Sequence, residues 1–328
     1  MGTSVVRYTT QSSTAQWGVL KEGSVYALAV DSDHHRDLIE LYNNDRIAFD
    51  SAIKSEGVAA DTVEFLSPIS QRIQLYVQGM NYHSHRKEGG VFNEEDVDLE
   101  DDENLLFYKA SSTISKPNET IVRPKTCELL DYEIELGFVL KADMLTETDV
   151  NDDNLGDYVG GFVLANDVSA RDFMFGAPAL QWFKGKSQRT FCPLGPVLYL
   201  LEGDDIKQIH AMELKLHLNG KLMQHGTTDQ LIHKPAKTLR DLSEFSNLHT
   251  GDCILTGTPG GVLANFNLKT ALAILFNMKN DRNRRKKFTQ AQLAQTDFLK
   301  PGDVLELQIK SLDGSIDLGQ QKNAIADA

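Results

Sequence analysis

The chain has little that would tie it to an oxidising compartment, a membrane or a polyanion. Its 328 residues include three cysteines, Cys127, Cys192 and Cys253, which are far apart and odd in number. That argues against a disulfide framework or a zinc knuckle and fits reduced thiols in the cytoplasm. No apolar run is long enough to span a bilayer. The polar start Met1-Gly2-Thr3-Ser4 has no apolar stretch of a secretory leader, so none is expected. Val6 stands where a myristoylation motif needs Ser or Thr. Positive charge is also short: 33 Lys and Arg face 47 Asp and Glu, a formal net charge of −14. Such a chain is a poor partner for nucleic acid or an anionic membrane surface.

What is present suffices for a sizeable core: 41% of the residues are hydrophobic. The length suggests one large domain with a smaller attachment, or two domains. Residues 4–30 read as paired strands, with Lys21-Glu22-Gly23-Ser24 as a hairpin connection, and 36–55 carry apolar residues at helical spacing. Together they predict a small α+β domain over 1–70, followed by a larger unit over 71–328. Asp31, Asp33, His34 and His35 lie between a strand and a helix and read as a solvated helix start. Residues 144–157 are polar and acidic, a short helix. Leu214, Leu216, Leu218 and Leu222 alternate around Asn219-Gly220, a strong hairpin signal. Residues 238–248 look helical. Residues 94–103 are almost all acidic and read as a solvated loop. Residues 263–297 form an insertion of helical character with a basic cluster, Lys279, Arg282, Arg284, Arg285, Lys286 and Lys287. The polar tail after Gly319 is expected to fray.

The chemistry concentrates elsewhere. In Asp131-Tyr132-Glu133-Ile134-Glu135-Leu136, read as a strand, Glu133 and Glu135 point to the same face. Burying both without a counter-charge would cost several kcal/mol, roughly, unless one took up a proton. A divalent cation removes that conflict, and oxygen ligands suit Mg²⁺, Mn²⁺ or Ca²⁺. A wet strand edge is the alternative reading. Asp167, at the end of the apolar run Gly160–Ala165, could supply a third oxygen. His85 and Glu88 lie three apart, neighbours on a helical turn, where a carboxylate can orient an imidazole as a general base. A surface pair, or His83 with His85 as metal ligands, are the competing readings. Gly185-Lys186-Ser187 mimics a phosphate-binding loop, but Leu180 stands where that loop needs glycine. Thr256-Gly257-Thr258-Pro259-Gly260-Gly261 is a glycine-rich turn whose backbone N–H groups could hold an anion.

In order along the chain, Gly79-Met80-Asn81-Tyr82 with His85 and Glu88, Asp131–Leu136, Asn166-Asp167-Val168-Ser169-Ala170-Arg171-Asp172, Lys184–Ser187, Cys192–Pro196 and Thr256–Val262 resemble the fumarylacetoacetate hydrolase family. The likeness runs from about residue 74 to 308, the insertion excepted. The resemblance implies an α+β, strand-rich fold with a rolled β-sandwich core and a small N-terminal α+β domain, usually as a homodimer. It also implies Mg²⁺ or Mn²⁺ on Glu133, Glu135 and Asp167, with catalytic His85, Glu88 and Lys186. Thr258, with Lys109 and Arg171, matches substrate-site positions. The expected activity is divalent-metal-dependent hydrolysis of a C–C bond in a 2-oxo acid of the acylpyruvate type. Decarboxylation, isomerisation or hydration of a related 2-oxo acid, and a binding protein without turnover, are the alternatives.

Overall fold

The computed structural model describes residues 1–10, 14–88, 103–176, 180–265, 270, 276–277 and 280–328. Two runs with unbroken burial, Ile134–Leu140 and Val159–Asn166, pair antiparallel at the centre of a 12-stranded mixed sheet. Strands this apolar must be covered on both faces. On one face lie Leu214, Leu216, Leu305, Leu307 and Ile309, which pack with Leu136, Phe138, Phe162 and Leu164. They belong to a five-stranded sheet in the order Lys221–Thr227, Met212–Leu218, Val304–Ser311, Asp317–Asp327, Ile121–Arg123. On the other face Leu38, Ile39 and Phe49, from the helices His35–Asn44 and Arg46–Ala52, pack with Val139, Val163 and Leu198. The layering is helices, large sheet, small sheet: an α+β, strand-rich fold.

The predicted N-terminal hairpin forms, Gln16–Lys21 with Ser24–Leu28, and its sheet continues into the rest of the molecule. Thr3–Thr9 pairs with Cys192–Leu200, so the N-terminal strands extend the central sheet. The Asn219-Gly220 hairpin also forms, with φ of 51° and 80° at the two turn residues, as a type I′ turn demands. Four expectations change. The run 144–157 makes little helix, only the single turn Leu155–Tyr158. The tail after Gly319 is ordered as the strand Asp317–Asp327. Its buried polar residues are held by carbonyl groups: the Gln321 amide donates to Leu164 O, Pro193 O and Gly195 O, and the Asn323 amide to Pro117 O and Glu119 O. His35 is not solvated but fully buried. It receives the Ser70 N–H on Nδ1 at 3.1 Å and donates from Nε2 to Gly251 O at 2.8 Å. The strand expected from Asp131 is broken. Leu130–Asp131 pairs with Ser169–Ala170 in a separate ribbon, and the main strand starts at Ile134.

Residues 94–102 of the acidic loop and Lys279 of the basic cluster lie outside the described residues. No helix among the described residues is long and apolar enough to cross a membrane.

Candidate active site

The break after Asp131 builds the site. Ile134 pairs with Asn166 at the end of the central ladder. Glu133 and Asp167 therefore meet just beyond that end, where the Asp167 N–H donates to Glu133 O at 2.8 Å. Glu135, the second residue of the strand that starts at Ile134, brings its carboxyl to the same place. One ligand atom each from Glu133, Glu135 and Asp167 lie within 4.8 Å of one another, all three residues buried. The wet-edge reading is thereby excluded.

Three cations answer this charge. The Lys186 ammonium bridges Glu133 and Asp167, 2.5 Å from Asp167 Oδ2. Lys109 Nζ donates to Asp167 Oδ1 at 2.6 Å. Arg171 donates to Asp131 Oδ2 at 2.9 Å and to Glu133 Oε1 at 2.5 Å. Asp131 is fully engaged: its oxygens also accept the N–H groups of Tyr132, Leu263 and Ala264. Four buried carboxylates thus face three buried cations. The excess falls on Glu135. Its Oε2 accepts the Gly257 N–H at 2.8 Å, while its Oε1 is buried without a hydrogen-bond partner among the described residues.

The protonation pattern follows. Burial works against charge on Glu133, but Arg171 and then Lys186 outweigh it and hold the carboxyl below the usual range. Burial, then the charges of Asp167 and Glu133, push Glu135 well above the usual range. Burial opposes the Lys186 charge too, yet Asp167 and Glu133 raise its pKa and keep it an ammonium. A buried carboxylate oxygen with no partner, among three oxygen donors, fits a hard divalent cation. Lys186 already spans two of those donors, so an ion there must share them with it.

His85 approaches from another element. Asn81 staples the start of its helix, His83–Glu88, by donating to Thr256 O and His233 O. Ser84 Oγ accepts the Gly260 N–H at 3.0 Å, and Glu88 Oε1 accepts the Gly261 N–H at 2.8 Å. The N–H groups of the glycine-rich turn do meet carboxyl oxygens, but they are the protein's own, on Glu135 and Glu88. Its conformation requires glycine at 261, where φ is +105° and a Cβ would come within 2.0 Å of Met223 O. Glu88 Oε2 is 3.7 Å from His85 Nδ1, which is buried without a partner. That is too long for a hydrogen bond, though such bonds tighten when substrate fills a site. His83 is exposed, which removes the paired-ligand reading.

His85, Glu88, Glu133, Arg171, Lys186 and Thr258 line one cleft with Phe107, Phe175 and Trp182. Lys109 is fully buried behind Asp167; neither it nor Asp167 nor Glu135 is among the residues that line the cleft. The Thr258 hydroxyl donates to Ile134 O at 2.9 Å and receives the Gln224 amide at 2.7 Å. Sequence reasoning missed Asp131 and Gln224. Asp131 lay inside the acidic stretch, two residues before Glu133, and its alternation could have flagged it. Gln224 carried no local signal; it matters because it also accepts the Ile134 N–H, fixing the strand start beside Glu133.

A family model for the C-terminal domain of fumarylacetoacetate (FAA) hydrolase matches residues 74–326. A mitochondrial oxaloacetate tautomerase of Bos taurus is 36% identical over 202 residues, 61% of this chain and 60% of that protein. The match thus spans less than two thirds of that relative's length. A 2,4-didehydro-3-deoxy-L-rhamnonate hydrolase of Sphingomonas sp. (strain SKA58) is 33% identical over 245 residues, 75% of this chain and 72% of that protein. Among solved structures, the fumarylacetoacetate hydrolase of Exiguobacterium antarcticum superposes with a TM-score of 0.73 at 24% identity, covering 99% of this chain and 100% of that one, a likeness of fold.

Proposed function

Because the chain belongs to the fumarylacetoacetate hydrolase family, we propose that it is a divalent-metal-dependent hydrolase of a C–C bond in a 2-oxo acid of the acylpyruvate type. Glu133, Glu135 and Asp167 would hold the ion, Mg²⁺ or Mn²⁺ before Ca²⁺. When bound, it supplies a Lewis acid for the 2-oxo and carboxylate oxygens of the substrate. His85, oriented by Glu88, takes a proton from water, and the resulting hydroxide attacks the distal carbonyl. The C–C bond then breaks, its electron pair leaves as the enolate of the 2-oxo acid, and His85 returns the proton to carbon. Lys186 stabilises the negative charge that develops on the 2-oxo oxygen. Arg171, held by Asp131, contacts the substrate carboxylate beside Glu133. Lys109 fixes Asp167 from behind, and Thr258 shapes the cleft wall. A homodimer in a reducing compartment completes the proposal; the three cysteines are free and buried.

The observation that carries this reading is the partnerless Glu135 oxygen in a buried cluster that reaches, through Glu133, the cleft lined by His85 and Glu88. The experiment is a Mg²⁺-dependent ultraviolet assay on a panel of acylpyruvates, with product analysis. Pyruvate and a carboxylic acid in equal amounts support hydrolysis. A metal-replete protein that cleaves none of the panel refutes it. A second reading is proton transfer within oxaloacetate, favoured by the name of the bovine relative. It needs the same ion and His85 as proton carrier, but no attacking water. Faster loss of the enol absorbance of oxaloacetate without C–C cleavage identifies it.

A further inference from the structure

The helix of the basic insertion supplies no residue to the lining of the cleft described above. This helix, Asp281–Leu293, packs against the helix Arg171–Phe175, with Phe288 buried 5.4 Å from Phe175 between ring centroids. Arg285 donates to Asp172 Oδ2 at 2.7 Å. Arg171 and Asp172 thus serve opposite sides of one short helix: Arg171 lines the cleft, and Asp172 lines a second, open groove of about 680 Å³.

Among the described residues four cations border that groove, Lys184, Arg282, Arg285 and Lys286, against two carboxylates, Glu128 and Asp172. In a chain of net charge −14 this is a local reversal of sign. Arg282 and Lys286 are exposed and lie one helical turn apart, on the same side, where like charges repel. The Phe173 ring adds an apolar wall, with the Arg285 guanidinium 4.8 Å and the Lys184 ammonium 5.7 Å from its centroid. A second observation is independent of charge. Thr289 lines the groove and is 3% exposed, and its hydroxyl has no hydrogen-bond partner among the described residues. A buried hydroxyl left unpaired is unfavourable. An anion with several acceptor oxygens answers both the crowded cations and the idle donor.

We propose that this groove binds a small organic polyanion carrying two or more phosphate or carboxylate groups. Such a ligand ties the helix Asp281–Leu293 to the turn that carries Phe175, and so braces one wall of the cleft from outside.

The test is calorimetric titration of the full chain, with Mg²⁺ present at low ionic strength. Fructose 1,6-bisphosphate is the phosphate probe and tricarballylate the carboxylate probe. At least one binds the parent protein, and which one identifies the anionic group. The double variant Arg282→Glu with Lys286→Glu weakens binding at least ~10-fold, and Thr289→Val weakens it about 3-fold. Thermal midpoints measured without anion stay at the parent value, which separates lost binding from lost folding. Failure of both probes to bind the parent overturns the proposal. Binding that is unchanged by the double charge reversal overturns it equally.

Discussion

Two buried polar regions of this molecule resolve the same physical problem in opposite ways. At the junction beneath the N-terminal helix, His35 spends both ring nitrogens on backbone partners. Burial holds its pKa down to about 3, so the ring stays neutral. The ring itself has no idle atom, although the neighbouring Ser70 hydroxyl is buried without a partner among the described residues. Around Glu133, Glu135 and Asp167, three cations leave one carboxylate oxygen unanswered. A buried neutral ring with both nitrogens matched serves folding, whereas a surplus of charge of one sign with an idle charged-group atom leaves capacity for a ligand.

The sharpest way to break this contrast is Glu135→Gln. Turnover should fall by at least ~10³, about 4 kcal/mol of barrier, because an ion ligand is lost. Yet the metal-free protein should melt at the same temperature or higher, since the substitution removes surplus charge. The sign follows from linkage. The Glu135 pKa is raised in the fold above the ordinary 4.5. The native state therefore binds more protons than the unfolded chain above that pH, and stability falls as pH rises. Melting curves of chelated parent and variant between pH 4.5 and 8 should diverge with rising pH; parallel curves would contradict the assignment.

His85→Ala should lower hydrolysis by ~10²-fold or more while leaving divalent-ion affinity unchanged, as expected of a base and not a ligand. Steady-state rates and ion titrations on the same preparation check this. At the other region, His35→Asn should cost about 2–3 kcal/mol in denaturant unfolding, since it unpairs Gly251 O or the Ser70 N–H. Here the pH dependence runs the other way. The His35 pKa is lowered from 6.5, so the unfolded chain binds more protons below that value. Its contribution is present in full above about pH 6.5 and declines by up to about 1.4 kcal/mol per unit as pH falls, a limb that the variant should lose. The smallest effect expected is on ion affinity in Lys186→Met. Removing the ammonium that bridges Glu133 and Asp167 should tighten divalent-ion binding about 10-fold even as turnover is lost. Weaker binding would show that Lys186 supports the ion instead of competing with it.

Much of the site was legible because its residues lie close to element ends with recognisable chemistry. The i, i+2 spacing of Glu133 and Glu135 and the acidic end of the Val159–Asn166 strand depend on short-range geometry alone. Other features depend on contacts between distant segments. The burial of His35 depends on Gly251 and Ser70. The order of the C-terminal strand depends on carbonyls at Leu164 and Pro117 that accept amides of Gln321 and Asn323. The resemblance places Lys109 at the substrate site; that it lies buried behind Asp167 depends on the fold and leaves no local pattern in the sequence. The break at Tyr132-Glu133 was hidden because the segment alternates like a strand throughout. Only its partner, Ser169–Ala170, shows that Asp131 belongs to a separate ribbon.

The central claim is that the spare oxygen of Glu135 completes a site for a divalent cation. Calorimetric titration of Mn²⁺ into chelator-stripped parent and Glu135→Gln proteins tests it most directly. The account predicts saturable binding of one ion per chain to the parent and its loss in the variant. Equal binding by both proteins, or none by the parent, would contradict it.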